Sequence, residues 1–427
     1  MIPRLHPAAR SGPPSVGRSS LARWSVVVLG ACLGLATGCY QQTIINDPDG
    51  APPPWDAAAY LDAGTDAFVP PDTKCVEASG VDLLFVVDNS NSMAEEQANL
   101  AARLPDLVTA LIMPPDRDGD LEPDWLPARD LRVAVTTVDM GTGGFTVPTC
   151  ANAQFGDDGI LRTIGNTEIP GCSMMVPRFL EFDPAGATTP SEFASQVSCV
   201  TSVGTGGCGF EQQLEATLKA ISPNAPTAAT GPAYAPPAFF MDTRGHALDA
   251  NAGFVRDDSL LAVVLVTDED DCSASDPELY NMASSVYTAD PNLRCAVYPE
   301  AMHPVSRYVD GLAGLRALRP DLFAFAVIAG VPPDLAVERP TDAEYAALLA
   351  DPRMIPMPDP ANPQRLVTSC NEAGTGLAFP PQRIVQVARG LGGYRTTIQS
   401  LCQDDFTDVS AALARLFGER ACTMRQD

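Results

Sequence analysis

Three short oxygen-bearing side chains follow an apolar run near residue 80. The stretch VDLLFVVDNSNSM spans residues 81–93, and Asp88, Ser90 and Ser92 come directly after its apolar part. Carboxylate and hydroxyl oxygens suit hard divalent cations such as Mg²⁺, Mn²⁺ or Ca²⁺. The alternating spacing lets a loop curl so that the three side chains converge on one point. The pattern therefore predicts a cation site, and the competing interpretation is a helix N-cap, which Ser and Asp also favour.

A second aspartate is expected at the same place. Asp268 follows LLAVVLVT, residues 260–267, the most apolar strand pattern in the chain. Parallel strands bring their carboxyl ends to one edge of a sheet, and open α/β sheets bind ligands at that edge. The sequence thus predicts that Asp88 and Asp268 lie close together.

The D-x-S-x-S spacing alone is weak evidence, because it occurs a second time at Asp271, Ser273 and Ser275. This second copy begins three residues after the aspartate that ends its strand. No later strand ends in an aspartate that would complete a site with it. Context therefore favours the first copy, which directly follows a buried strand and directly precedes a helix.

The rest of the chain alternates between strand and helix patterns, which predicts an α/β fold with a doubly wound, mostly parallel sheet flanked by helices. One domain over residues 74–427 accommodates all of them. Long insertions, most of them carrying cysteines, separate the elements at 112–130, 139–176, 223–257, 272–300 and 331–380. The predicted strands are 81–87, 131–138, 177–183, 260–267, 322–330 and 394–400, and the predicted helices are 94–112, 191–200, 210–221, 305–318, 382–393 and 406–420.

A strand ending in DNSNSM, a following helix and a later strand ending in TDED resemble the von Willebrand factor type A domain. The resemblance implies a metal-ion-dependent adhesion site. It carries over, residue by residue, to Asp88, Ser90, Ser92 and Asp268. It also implies a bound divalent cation, Mg²⁺ first and Mn²⁺ or Ca²⁺ as alternatives, with one position open for an acidic side chain of a protein ligand. Such domains are adhesion or assembly modules rather than enzymes.

The family also uses a threonine before a later helix, and Thr205 in SVGTGGCGFEQQLEATL occupies that position. In this chain a glycine-rich turn with a cysteine separates Thr205 from the helix. Glu211 is therefore an alternative ligand, and Thr142 in DMGTGG is a second alternative threonine.

A separate acidic loop, DRDGDLEPD, resembles part of a calcium loop. Its glycine is misplaced for an EF-hand and no glutamate closes it, so a solvated acidic loop is the competing interpretation. The candidate accessory cation ligands are Asp116, Asp118, Asp120 and Asp124.

Enzyme classes find little support in the sequence. The run GTGGCG at 204–209 matches a dinucleotide-binding spacing, but no clear strand precedes it and no acidic strand end follows about 20 residues on. There is no G-x-S-x-G motif and no P-loop. A metal-assisted hydrolase would lack a convergent His or Glu general base. We therefore expect a protein that is not an enzyme.

The N-terminus has the layout of an export signal. Arginines precede the apolar run at 24–38, and LATGC resembles a bacterial lipobox, which makes Cys39 the predicted lipidation site. We expect a signal peptide at 1–38 and a disordered tether rich in Pro, Asp and Ala at 39–73. Tyr40 is not the aspartate that commonly retains lipoproteins at the inner membrane, so the expected location is the bacterial cell envelope, at the outer membrane.

Charge and cysteines agree with that compartment. The formal net charge is −26, which argues against nucleic acid and against any membrane contact beyond the lipid anchor. Ten of the 12 cysteines remain once Cys32 and Cys39 are set aside, and an even number in an exported chain predicts disulfides. An envelope protein that only scaffolds disulfide-bonded loops is therefore the alternative to an adhesion module. Proximity in sequence suggests the pairs Cys150–Cys172, Cys199–Cys208, Cys272–Cys295, Cys370–Cys402 and Cys75–Cys422.

Overall fold

Strands and helices alternate along the chain much as the sequence predicts. The computed structural model describes residues 76–117, 119–372, 376–403 and 406–423. The helices are α1 Ala94–Ile112, α2 Pro190–Thr201, α3 Gln213–Ile221, α4 Arg294–Val297, α5 Val305–Gly314, α6 Asp342–Ala350, α7 Gln382–Leu391 and α8 Thr407–Arg420. The strands are β1 Val76–Ala78, β2 Val81–Val87, β3 Leu131–Thr137, β4 Leu180–Phe182, β5 Leu260–Val266, β6 Phe323–Ala329, β7 Val337–Glu338, β8 Pro358–Asp359, β9 Asn362–Leu366, β10 Cys370–Glu372, β11 Gly376–Ala378, β12 Thr396–Ser400 and β13 Ala421–Thr423.

The long strands form one seven-stranded sheet in the order β4-β3-β2-β5-β6-β12-β7. β2, β3, β5, β6 and β12 are parallel, and the edge strands β4 and β7 are antiparallel. This arrangement confirms the predicted α/β class with a mostly parallel sheet. Among the parallel strands, chain order runs outward from β2 on one side and from β5 on the other, so the topological switch point lies between these two strands. Ligands of doubly wound sheets bind at such a point, outside the carboxyl ends of the strands.

Two hydrophobic cores cover the two faces of the sheet. Successive side chains of a strand point to opposite faces. Leu83, Phe85 and Val87 of β2 accordingly pack with α1, α2 and α8. Leu84 and Val86 pack with α3, α5 and α7 on the other face. Because β2 is buried on both faces, it reads as a nearly continuous apolar run, as expected for a parallel sheet.

The insertions build a third, smaller core. Residues from the loops after β3, before α3 and after β5 pack together, and they include Val147, Phe210, Leu279, Tyr280 and Met302. Three disulfide cysteines, Cys150, Cys208 and Cys272, are buried in the same cluster. The insertions after β3 and after β5 therefore pack around a hydrophobic core of their own.

Four disulfides are seen among the described residues, and they correct two of the expected pairings. Cys272–Cys295 and Cys370–Cys402 form as predicted. The expected pairs Cys150–Cys172 and Cys199–Cys208 are wrong, because Cys150 bonds to Cys208 and Cys172 bonds to Cys199. The reason is tertiary: the insertion after β3 folds back over the turn before α3, so its cysteines meet partners that are distant in sequence. Cys75 and the Cys422 side chain lie outside the described residues.

Some elements differ from the sequence prediction. The predicted strand at 177–183 is the short antiparallel edge strand β4, and the helix predicted to start at residue 210 starts at Gln213. The segment 331–380, predicted as an insertion, contains α6 and five short strands. Thr341 and Glu344 form a capping box at the start of α6, a signal that the sequence did contain.

The expected signal peptide, the Cys39 lipidation site and the tether at 39–73 lie outside the described residues. Helices of the described part of the chain are too short or too polar to cross a membrane.

Candidate functional site

The Asp88 loop leaves the sheet at the switch point. The backbone N–H of Asp88 donates to the carbonyl of Val266, so the chain is still held against β5 where it begins to turn. Ser90 N–H donates to Oδ1 of Asp88 at 2.8 Å, and the hydroxyls of Ser90 and Ser92 lie 3.1 Å apart. The first D-x-S-x-S copy is therefore curled, with its oxygens close together.

Thr267 connects the two strand ends. Its hydroxyl donates to Oδ2 of Asp88 at 2.6 Å and accepts a hydrogen bond from Nε2 of Gln213 at 2.8 Å. The backbone N–H of Glu269 also donates to this hydroxyl. Sequence reasoning missed Thr267 and Gln213. The sequence does contain an indication for Thr267. It lies opposite Asp88, one residue beyond the paired Val87 and Val266.

Asp268 is a buried carboxylate without a hydrogen-bond partner. Neither of its side-chain oxygens accepts a hydrogen bond from the described residues, although the residue is fully buried. Burial raises the pKa of Asp268 well above its usual value, with further contributions from Asp88 and Glu269. The Ser92 hydroxyl lies near enough to oppose part of this rise, but it does not meet the geometry of a hydrogen bond to either oxygen. An unpartnered buried carboxylate is costly, so Asp268 is stabilised either by taking up a proton or by a positively charged partner.

Asp82, at the amino end of strand β2, is a buried acid whose carboxylate is satisfied by hydrogen-bond donors. Its carboxylate accepts from the backbone N–H of Arg256 at 2.7 Å and from Nε of Arg256 at 2.8 Å. The hydroxyl of Ser259 donates to it as well. Both Asp82 and Asp268 are fully buried, but only Asp82 has an arginine beside it. Asp82 is therefore a structural acid, whereas the Asp268 carboxylate has no hydrogen-bond partner in the described part of the chain.

Five acids crowd the switch point, and we call them the carboxylate cluster: Asp88, Glu96, Glu211, Asp268 and Glu269. Burial raises the pKa of Glu211 well above normal, followed by repulsion from Glu269 and Asp88. Burial and then repulsion from Asp88 raise the pKa of Glu269 to about 7. Burial is also the main cause of the raised pKa values of Asp88 and Glu96. None of these five acids forms an ion pair with a described Lys, Arg or His side chain, so the cluster carries unbalanced negative charge when ionised.

Thr205 is held beside the Asp88 loop by its neighbours on both sides. Gln97 on α1 donates through Nε2 to the carbonyls of Asp88 (2.7 Å) and Gly204 (2.9 Å) and accepts from Gly204 N–H (3.1 Å). On the other side, Gly207 N–H donates to the carbonyl of Asn89 at 2.7 Å. Gly207 has no room for a side chain, because a Cβ would lie 2.3 Å from Oδ1 of Asn89. Thr205 itself is half-buried, and its hydroxyl makes no hydrogen bond to the Asp88 loop.

A cleft of about 350 Å³ opens next to these residues. Ser90, Ser92, Glu211 and Glu269 line it, whereas Thr205 does not. Its other walls come from the disulfide-bonded insertion after β5 and from the segment containing β8 and β9. A ligand that enters the cleft would thus meet the Ser hydroxyls and two of the cluster's carboxylates.

The second D-x-S-x-S copy serves the fold. Oδ1 of Asp271 accepts from the Leu214 N–H at the start of α3 (2.9 Å) and from the Ser273 hydroxyl (2.6 Å). Oδ2 accepts from the guanidinium of Arg383 at 3.2 Å. The neighbouring Asp270 accepts from the N–H groups of Arg383 and Ile384 at the start of α7. Both acids are therefore matched by donors, in contrast to Asp268.

In the acidic loop at 116–124, the carboxylates accept hydrogen bonds from backbone N–H groups of the same loop. Asp116 accepts from the N–H groups of Gly119 and Leu121, Asp120 accepts from Glu122 N–H, and Asp124 accepts from Arg117 N–H. Asp118 lies outside the described residues. The three described carboxylates thus hold turns within an exposed loop.

The residues at the switch point fit a hard divalent cation. Asp88 and Asp268 would supply carboxylate oxygens, and Ser90 and Ser92 would supply hydroxyl oxygens, which is a donor set that such cations prefer. In the part of the chain that the structure describes, no three Asp, Glu, His or Cys side chains converge closely enough to hold a metal ion by themselves. A cation here would therefore also depend on hydroxyls, amide oxygens or water, and Mg²⁺ commonly retains several waters.

Fold and site together define an α/β protein with an acidic, hydroxyl-lined crevice at the switch point of its sheet. No protein-family model matches the chain. A search of curated proteins also finds no match.

Proposed function

We propose that this protein is an envelope-anchored protein-binding module of the von Willebrand factor type A kind, which holds a protein ligand through a divalent cation. The observation that carries the proposal is the buried carboxylate of Asp268, which accepts no hydrogen bond from the described residues and lies among other acids at the switch point. Two other buried acids of the same structure, Asp82 and Asp271, are matched by donors. A cation is the partner that Asp268 lacks.

Asp88, Asp268, Ser90 and Ser92 would hold the cation, with Thr205 or Glu211 completing the set. When bound, a divalent cation supplies a Lewis-acid centre that attracts an acidic side chain of a partner. This role explains how a chain with a net charge of −26 would bind an acidic ligand, which its surface would otherwise repel. Mg²⁺ suits the small oxygen donor set best, with Mn²⁺ and Ca²⁺ as alternatives.

Anchoring follows from the N-terminal sequence. Lipidation at Cys39 and a tether over 39–73 would present the domain away from an outer membrane, where it can meet a partner. Disulfides among the described residues are consistent with an oxidising compartment outside the cytoplasm. No catalytic step is part of this proposal.

A structural envelope protein is the second candidate, and one observation favours it. The insertions form their own core, which includes three of the disulfide cysteines, and this core is what a scaffold for rigid loops would need. In this case the ordered loops would carry the function, and removal of the cation site would leave partner binding unchanged.

Metal titration of the purified full chain by calorimetry tests the proposal. We expect binding of Mg²⁺, Mn²⁺ or Ca²⁺, and a marked loss of affinity in Ser92→Ala. Ser275→Ala is the matched control, because Ser275 has the same place in the second D-x-S-x-S copy and donates to the carbonyl of Ala301. Absence of binding by all three cations at millimolar concentration would remove the proposed function.

A pull-down from envelope extract separates the two candidates. With Mg²⁺ present, we expect the wild-type chain to retain a partner that a chelator releases and that Asp268→Ala does not retain. A partner retained equally by Asp268→Ala and in the presence of chelator would favour the structural scaffold.

A further inference from the structure

Lys219 on α3 is a fully buried cation that lies against an acid. The chain has 27 Lys and Arg residues, of which two are lysines, Lys74 and Lys219. The Lys219 side chain has no exposed surface, and its Nζ lies 2.5 Å from Oδ1 of Asp158. Nζ also donates to the Thr243 hydroxyl at 2.9 Å. Unlike the guanidinium of arginine, the amine of a lysine becomes a nucleophile when it loses a proton.

Two aromatic rings and a histidine complete the surroundings of this pair. The ring centroids of Phe155 and Phe239 lie 5.8 Å and 5.5 Å from Nζ of Lys219. Nε2 of His246 lies 3.0 Å from Oδ2 of Asp158. Because an ionised carboxylate only accepts hydrogen bonds, Nε2 is the donor of this contact. Nδ1 of His246 is buried and has no hydrogen-bond partner among the described residues. The amine and the imidazole thus contact different oxygens of one carboxylate.

The backbone holds the two reacting side chains in position. Asp158 has a φ of +58°, in the left-handed region that favours glycine. The next residue, Gly159, lies directly against α3, where an added Cβ would be 3.4 Å from Cβ of Lys219. The buried amide of Asn251 donates to the carbonyls of Gly159 and Ala220, both at 2.9 Å. One side chain therefore joins the residue after Asp158 to the residue after Lys219, which keeps the carboxylate and the amine together.

We propose that Lys219 and Asp158 form an intramolecular amide, which joins the insertion after β3 to α3 by a covalent bond. The Nζ–Cγ bond forms, and the Cγ–Oδ2 bond breaks. Oδ2 leaves as water, and both protons of this water come in net terms from the Lys219 ammonium, so no oxidant, reductant or other reactant is needed. His246 passes a proton to Oδ2 as this oxygen leaves. The cross-link is a modification beyond the proposed function and does not depend on the cation.

Two physical reasons favour the amide over the ion pair. A buried ion pair retains the desolvation cost of two charges, whereas the amide carries no charge. The fixed geometry also replaces a collision between separate molecules, and well-oriented intramolecular reactions reach effective molarities on the order of 10⁵–10⁸ M.

The reaction is expected to be slow, because it requires the neutral amine and the neutral acid. Burial raises the pKa of Asp158, but the hydrogen bonds from His246 and Lys219 together lower it below its usual value. The neutral pair is therefore the minor form, and the amide accumulates after the chain has folded.

Peptide mapping of the full chain, after complete reduction and alkylation of its cysteines, tests the cross-link. For wild type we expect a branched peptide that contains both Asp158 and Lys219, lighter by one water than the two separate peptides together. Lys219→Arg keeps the positive charge but has no amine, so the branched peptide should be absent. Asp249→Asn removes an exposed carboxylate and is the control, with the branched peptide retained. Thermal melting checks that the variants fold.

His246→Gln tests the proton transfer, because both reacting groups remain. In samples taken at intervals after synthesis, we expect the branched peptide to form about 10²–10⁴-fold more slowly than in wild type, which is the usual contribution of a positioned proton donor. An unchanged rate in this variant would overturn the assigned step. Separate peptides alone in wild type, even after prolonged incubation, would overturn the inference and show that Lys219 and Asp158 form an ion pair only.

Discussion

The hydroxyl of Thr267 donates a 2.6 Å hydrogen bond to Oδ2 of Asp88, and this bond joins the carboxyl ends of the two central strands. It orients a carboxylate that is fully buried and leaves its other oxygen to accept from the Ser90 N–H. The same hydroxyl accepts from Gln213 and Glu269. One threonine therefore fixes the relative positions of the Asp88 loop, the Asp268 turn and the start of α3.

The two D-x-S-x-S copies provide a matched pair of substitutions. We expect Asp88→Asn to abolish metal binding and to leave the metal-free protein as stable as wild type or more so, because a repelled buried charge is removed. Asp271→Asn should have the opposite effects: metal binding is retained, and stability falls by roughly 3–5 kcal/mol, as is typical when a buried ion pair loses one member. Calorimetry measures the binding, and denaturant unfolding measures the stability.

This comparison is informative because the two aspartates share burial and sequence context. Equal loss of stability in both variants would mean that Asp88 is a structural acid like Asp271. Retention of full metal affinity in Asp88→Asn would contradict the assignment of the site.

Gln97 is expected to position the site without binding the cation. Its amide connects the Asp88 carbonyl to both backbone groups of Gly204, so Gln97→Leu leaves these groups unpaired. We expect a loss of about 1–3 kcal/mol in stability and a metal affinity lower by about 10–100-fold, as is typical for residues that support a ligand. Gln386→Leu, on an exposed part of α7, is the control. An unchanged metal affinity in Gln97→Leu would show that the loop keeps its shape without this bridge.

The corrected disulfides can be checked by peptide mapping. Digestion of the non-reduced chain should release linked peptides that contain Cys150 with Cys208 and Cys172 with Cys199. The Cys150–Cys208 bond spans 58 residues, which corresponds to about 4 kcal/mol of stabilisation in the chain-entropy description. A double Cys150→Ser, Cys208→Ser variant should therefore melt at a lower temperature. Recovery of Cys150 linked to Cys172 would contradict the structure.

Parallel strands made the placement of Asp88 and Asp268 at one edge of the sheet predictable from the sequence. Asp88 and Asp268 both follow apolar runs, and parallel strands that are paired in register place such residues at one edge. The same reasoning rejected the copy at Asp271, which the structure assigns to the start of α3 and to Arg383. Local sequence patterns therefore suffice to predict which residues lie together at the ends of neighbouring parallel strands.

Contacts between distant segments were not predictable. Gln97 and Gly204 are separated by 107 residues, and nothing in either local pattern indicates their contact. Proximity in sequence failed for Cys150 and Cys199 because the insertions fold over one another. The sequence places Thr267 at the end of an apolar strand, whereas its role depends on Asp88, the residue opposite it in the neighbouring strand.

The stability of the metal-free protein should fall as pH rises, and a cation should reverse this trend. Burial and repulsion from Asp88 raise the pKa of Glu269 from 4.5 to about 7. A carboxyl group with a raised pKa destabilises the folded state once it ionises, so its cost grows as pH rises from 4.5 to about 7. The pKa of Asp270, which burial also raises to about 7, adds to this decline. Asp158 has a lowered pKa and adds the opposite slope only below its usual value of 3.8. Burial lowers the pKa of His303 from 6.5, so His303 adds an opposite slope below 6.5 that the two raised carboxyl groups together exceed. The melting temperature measured in chelator should therefore fall between pH 4.5 and about pH 7. Mg²⁺ should raise the melting temperature more near neutral pH than in mild acid. Glu269→Gln should flatten the decline in chelator. Chelated wild-type protein that becomes more stable up to neutral pH would contradict the unbalanced charge of the carboxylate cluster.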